Sequence, residues 1–355
     1  QIVILGAGTG GTMMANHLIK KINKREWSIT VIDQESEHYY QAGYIFIPFG
    51  LETKKTLTKE IKQFLPKEIE HLNIRVDLIK PEENKIVLSD GKELKYDILI
   101  TATGCRIVPS EIEGMDGEGW MRDIFDFYTV EGATALAEKL KTWEGGTLVV
   151  HTAEMPIKCP VAPLEFAFLS DWFLTKQGKR SATKLIYVTP LSGAFTKEKT
   201  SKILGHLLES KNIELVPDFA VEKVDPSDRI LRSFDGIEVK YDLLVTIPTN
   251  MGDELYEKSG IGDELNFIPT EKHTLQSKKH KNIFVIGDAS DLPTSKAGSV
   301  VHAQSEVLTK NILNFIDGKE LLADFDGHAN CFIESGYGKG FLLDFNYDVE
   351  PTEGT

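Results

Sequence analysis

Cysteine is scarce in this chain. Cys105, Cys159 and Cys331 are its three cysteines, too few for a secreted disulfide scaffold and without the paired spacing of a zinc ribbon. Positive charge is also short: 40 Lys+Arg stand against 54 Asp+Glu, a net charge of −14. Such a surface repels phosphate backbones and excludes nucleic acid as the expected partner. No apolar run reaches the ~18 residues that a membrane span needs, and no internal repeat of roughly 20 to 50 residues is visible. Gln1 stands directly before the apolar run Ile2–Leu5, and Pro351–Thr355 follows no terminating element. A longer native chain is therefore expected at both ends, with cytoplasmic exposure as the default.

What is present is an ordinary globular balance, 41% hydrophobic and 26% charged over 355 residues, enough for two or three domains. Short runs rich in β-branched residues at 2–5, 28–33, 96–101, 147–151, 184–189, 241–247 and 282–286 predict buried strands. Helical patterns at 11–21, 164–175 and 300–316 lie between some of them, which predicts an α/β architecture. The lysine-rich, amphipathic segment 48–67 predicts a solvated helix face.

Gly6, Gly8 and Gly11 form a GxGxxG between the first strand and the first helix. In that context glycine lets the backbone approach a pyrophosphate, while the helix N-terminus supplies amides and partial positive charge. Asp33 ends the next strand about 20 residues on, where an acid takes a ribose hydroxyl pair. A dinucleotide is the expected ligand; the alternative is a tight turn that packs a helix on a strand. The strand comparable to a second nucleotide-binding strand, 147–150, runs instead into 151–160, which holds Pro156, Cys159 and Pro160 and no glycine.

Two further signatures resemble the two-dinucleotide-domain flavoproteins: the Ala-Thr-Gly turn with Thr103 and Gly104, and Gly287-Asp288 after the strand Ile283–Ile286. The resemblance implies noncovalent FAD, with Asp288 on its ribityl chain; a plain helix N-cap is the alternative for Asp288. The stretches 158–168, 295–298 and 330–340 then resemble the sulfide:quinone oxidoreductases, closest to the branch called type III, and the likeness runs over the whole chain. It implies two Rossmann-like dinucleotide-binding domains, the first discontinuous (1–115 and 275–327), the second at 116–274, and a short C-terminal quinone-side segment at 328–355. Cys159 and Cys331 would meet on one face of the flavin, bonded directly or bridged by sulfur. Hydrosulfide would be oxidised there to polysulfide or sulfur, and two electrons would pass to a membrane quinone.

By the same resemblance Glu165 assists proton transfer at the sulfur site, and Lys296 stabilises the reduced flavin at its pyrimidine edge. Phe332, Lys339, Phe341 and Tyr347 would line the quinone pocket. Cys105 is read as structural, beside the nucleotide half of FAD. The protein would be peripheral on the cytoplasmic side of the membrane, held through a part beyond residue 355, with a homo-oligomer as one option. Positions from which relatives tether flavin covalently lack cysteine here: 124–129 and 39–42 contain none. Alternatives are an NADH:quinone oxidoreductase-like flavoprotein, a non-catalytic FAD-bound interaction protein, buried inert cysteines, and a zinc site from Cys159, Cys331 and His328. No metal is expected.

Overall fold

The computed structural model describes residues 1–349; the last six residues of the expected C-terminal segment lie outside them. Four consecutive β-branched or leucine residues build strand β1 (Ile2–Leu5), every one of them buried. A strand covered on both faces reads as a continuous apolar run rather than an alternating one. Helix α1 (Thr9–Leu18) follows and returns the chain to β2 (Ile29–Asp33), parallel to β1 with Ile2 opposite Ile29. Next come β3 (Glu70–Asn73), an antiparallel meander of β4 (Val76–Lys80), β5 (Lys85–Leu88) and β6 (Glu93–Lys95), and then β7 (Ile98–Thr101) on the other flank of β1.

The chain then lays down the same plan again. Strand β8 (Ile124–Phe125) and helix α2 (Val130–Lys141) lead to β9 (Gly146–Thr152), α3 (Ala162–Lys176), β10 (Thr183–Val188), α4 (Glu198–Ser210) and β11 (Ile213–Val216). A second meander of β12 (Val221–Asp225), β13 (Ile230–Ser233) and β14 (Glu238–Lys240) precedes β15 (Leu243–Ile247). Strand β16 (Ile283–Val285) then goes back to the first sheet beside β7, and α5 (Gly298–Ile316) packs on α1. A closing hairpin, β17 (Ala329–Gly336) and β18 (Lys339–Phe345), lies on α3.

The two five-stranded parallel sheets have corresponding orders, β16-β7-β1-β2-β3 and β8-β15-β9-β10-β11. Thus β9 stands in the second sheet where β1 stands in the first, and the β9–α3 loop corresponds to the glycine turn. One apolar core joins the first sheet to α1 and α5; another joins the second sheet to its helices and to the hairpin.

The expected strands form, with ends moved by a residue or two. The helix expected over 48–67 does not. Gly50 there is left-handed at φ +71° and Pro66 lies near the end, so only Lys54–Leu57 is helical. Thr58–Glu60 instead pairs as a strand with Glu37–Tyr39.

Candidate functional site

A cleft of about 1070 Å³ runs from the glycine turn to the closing hairpin. Three helix N-termini reach it, through 8–10, 161–162 and 297–299, and none is capped by a side chain. Their partial positive charges suit an anionic or electron-rich ligand.

Of the three motif glycines, Gly6 and Gly8 line the cleft and Gly11 does not. Gly6 is left-handed (φ +94°), and a Cβ there would stand 2.4 Å from the Ala102 carbonyl oxygen. A Cβ on Gly11 would stand 1.8 Å from the Gly6 carbonyl oxygen, so that glycine lets helix and strand touch. At Gly8 a Cβ would meet no protein atom within 4 Å; the space above it belongs to a ligand. Asp33 lines the cleft while its carboxylate accepts from the Ala7 N–H at 2.6 Å and the Glu35 N–H at 2.8 Å.

At the ends of β7 and β16, Thr103, Gly104 and Asp288 also line the cleft. Burial pushes the Asp288 carboxyl above its ordinary range, against the pull of Lys296 and Lys158. Lys296 is 7% exposed and lies over the Phe267 ring, 3.8 Å from its centroid. Its ammonium donates to the carbonyls of Asp288 (3.0 Å) and Ser290 (2.7 Å), which fastens the turn that presents Asp288. Cys105 follows Gly104 in the same turn. Because β7 and β16 are neighbours, the turns that follow them meet, and the thiol points at Asn250 Oδ1 (3.8 Å) and Asp288 Oδ2 (4.0 Å). Burial raises it to about 12.

Cys159 and Cys331 face the same cleft, from the β9–α3 loop and from β17. Both are free thiols here. Burial raises both thiols, that of Cys331 to about 11; the charges of Glu165 and Cys331 raise Cys159 further. Glu165, in the first turn of α3, accepts from the Glu334 N–H at 3.1 Å and so ties helix to hairpin. Burial lifts its carboxyl to about 7, a value at which a proton can be taken up or released near neutrality.

Among the four aromatic and basic residues expected at a quinone pocket, Phe332 lines the cleft and is 73% exposed. Phe332 pairs with Leu342, so alternation puts Lys339 and Phe341 on the other face of the hairpin, and Tyr347 lies beyond β18. Phe341 pairs with Ile333 on the inward face and packs on the second core. Lys339 stands opposite Gly336 at the hairpin turn. Tyr347 packs against the rings of Phe325 and His273, each 5.8 Å away. The other aromatic side chains in the cleft lining include Tyr39, Tyr44 and Phe127, which no motif marked. Lys158 and Tyr128 were missed as well, although Lys158 adjoins Cys159 in sequence. Among the described residues no group of His, Cys, Asp and Glu could hold a metal; the His328 ring faces Asp344 at 3.2 Å.

The model of the pyridine nucleotide-disulphide oxidoreductases matches residues 1–306. The chain belongs to that family. Its members are FAD-binding oxidoreductases, and the room over Gly8, the uncapped α1 and the buried Asp288 carboxylate fit FAD. Within the family the chain is 28% identical to the mitochondrial sulfide:quinone oxidoreductase of Dictyostelium discoideum, covering 99% of this chain and 79% of that one. It is 24% identical to the sulfide-quinone reductase of Aquifex aeolicus, over 97% and 83%. Among solved structures, the sulfide:quinone oxidoreductase of Aquifex aeolicus superposes with a TM-score of 0.83 at 22% identity, over 97% of this chain and 83% of that one. NDH2 of Plasmodium falciparum, solved with NADH, gives a TM-score of 0.74 at 14% identity, over 99% and 91%. In this chain the loop after β9, which corresponds to the glycine turn of the first sheet, holds Cys159 between Pro156 and Pro160 and contains no glycine.

Proposed function

We propose that this FAD-dependent oxidoreductase oxidises sulfide and passes two electrons to a quinone. The observation that carries this is the convergence of Cys159, Cys331 and Glu165 on the cleft that the glycine turn and Asp288 also line. The two relatives with matching names support the substrate pair. In this reading 1–115 and 275–327 hold FAD, 116–274 carries Cys159, and the hairpin of the 328–355 segment delivers Cys331. Bound FAD supplies a two-electron carrier between donor and acceptor.

The chain's own residues handle sulfur and protons. Hydrosulfide attacks the oxidised cysteine pair, giving a persulfide on one cysteine and a thiolate on the other. Joining the two through the added sulfur releases two electrons and one proton, and each further hydrosulfide lengthens the bridge or releases polysulfide. Glu165, poised near neutrality, takes that proton. The quinone binds on the exposed side near Phe332 and needs two electrons and two protons. Among the described residues no helix is long and apolar enough to cross a membrane; a peripheral position at the cytoplasmic face is part of this proposal.

Anaerobic titration of the holoprotein with sulfide, followed by a soluble quinone, tests the reading. Sulfide should bleach the flavin absorbance and quinone restore it. Bleaching by NADH and not by sulfide would overturn it.

A further inference from the structure

The dipeptide Lys158–Cys159 is gripped from three sides. Cys159 has a left-handed backbone, φ +44°, a conformation that a residue with a Cβ adopts only when its surroundings hold it there. Its N–H donates to the Lys296 carbonyl at 2.7 Å, a contact with the first domain. The Lys158 N–H donates to Asn250 Oδ1 at 3.1 Å. Asn250 is fully buried and its amide donates to the Pro248 carbonyl, so its orientation is set.

The third grip is Tyr128. Its hydroxyl donates to the Lys158 carbonyl at 2.5 Å and lies 3.2 Å from the Cys159 carbonyl. The tyrosine is itself fixed: Asp126, fully buried, accepts from the Tyr128 and Thr129 N–H groups at 2.8 and 2.7 Å. Tyr128 thus joins the start of α2 to the loop that presents the thiol. The Lys158 ammonium stands 5.8 Å over its ring.

We propose that Tyr128 is a positioning residue for Cys159: its hydroxyl locks the Lys158–Cys159 turn so that the thiol faces Cys331 across the cleft. The inference rests on the sulfide reading above. A donor shared by two neighbouring carbonyls fixes the peptide plane between them, and that plane sets where the Cys159 Cβ points. Two thiols that exchange a sulfur bridge need a fixed separation, and a shift of about 1 Å in a reacting group can cost on the order of a hundredfold in rate. Quinone reduction takes place without this turn and should ignore its loss.

The test compares wild type, Tyr128→Phe and Tyr241→Phe as holoproteins in anaerobic stopped flow. Tyr241 is a second buried tyrosine, whose hydroxyl has no partner. Tyr128→Phe should slow flavin bleaching by sulfide by about tenfold to a hundredfold. Reoxidation by a soluble quinone and flavin occupancy should stay at wild-type values, and Tyr241→Phe should change neither half-reaction. Asn250→Ala, which cuts the same dipeptide from the other side, should give the same split and serves if Tyr128→Phe does not fold. Equal slowing of both half-reactions, or of neither, overturns the proposal. Alkylation by iodoacetamide, read by mass spectrometry at each cysteine, is independent of the sulfide reading. The Cys159 rate should change in Tyr128→Phe while the Cys331 rate does not. If wild-type flavin is not bleached by sulfide, the proposed function fails. Unchanged Cys159 alkylation means that the lock fails.

Discussion

A methyl group at Gly8 would touch nothing in the protein, whereas one at Gly11 would collide with the Gly6 carbonyl. Gly8→Ala should therefore leave the apoprotein's melting temperature near wild type while weakening FAD binding about tenfold or more, read by flavin fluorescence titration. Gly11→Ala should destabilise the apoprotein itself by roughly 1–3 kcal/mol in urea unfolding. Glu165 gives a pH signature. Its carboxyl rises from an ordinary 4.5 to about 7 on folding, because burial disfavours the charge. The unfolded chain ionises it more readily, so this site costs the wild type stability as pH rises from 4.5 to 7, and the loss is complete above 7. At one pKa unit per 1.36 kcal/mol the limit is about 3 kcal/mol. Glu165→Gln should gain on wild type by up to that amount between pH 5 and pH 8 in urea unfolding. Its sulfide half-reaction should slow.

At the scale of elements, the closing hairpin decides where Cys331 sits, and it is fastened at its tip. The Tyr337 hydroxyl donates to Asp171 of α3 at 3.3 Å, and Asp171 also accepts from Arg180 (2.8 Å) and Lys211 (3.2 Å). Gly336 lies against Trp172, where a Cβ would come within 2.5 Å. Asp171→Ala would strand two cations that are largely buried and should cost roughly 3–5 kcal/mol in urea unfolding. Cys159→Ser and Cys331→Ser should each abolish nearly all sulfide-dependent quinone reduction, since a sulfur bridge needs both ends. Cys105→Ser, outside that pair, should keep most of it; steady-state assays decide.

At the scale of the whole molecule, much of the first sheet was legible because its central strands are buried on both faces and its glycine turn obeys a local rule. The pairing of β16 with β7 was legible only through the Gly287-Asp288 signature, since the partner strands lie almost two hundred residues apart. What could not be read has a physical reason. The fate of 48–67 turned on Gly50 and on pairing with a distant strand, and the inward turn of Phe341 on a register set by the hairpin. Tyr128 carries no motif at all, because its role depends on a loop thirty residues away in sequence. Noncovalent FAD is a property of the assembled cleft: acid precipitation should release all the flavin into the supernatant, and flavin left in the pellet would contradict it.

The repeated sheet order has a consequence for electron donors. Each sheet presents one loop after its central strand, the place where a parallel sheet meets its ligand. The first copy spends that loop on glycines and the second spends it on Cys159. Under the proposed function that second loop carries the sulfur chemistry, and with Pro156, Pro160 and no glycine it is a poor cradle for a second pyrophosphate. In this architecture, then, hydride from a pyridine nucleotide and electrons from sulfide compete for one stretch of chain. Rebuilding 151–160 as a glycine turn would have to surrender sulfide in order to admit NADH.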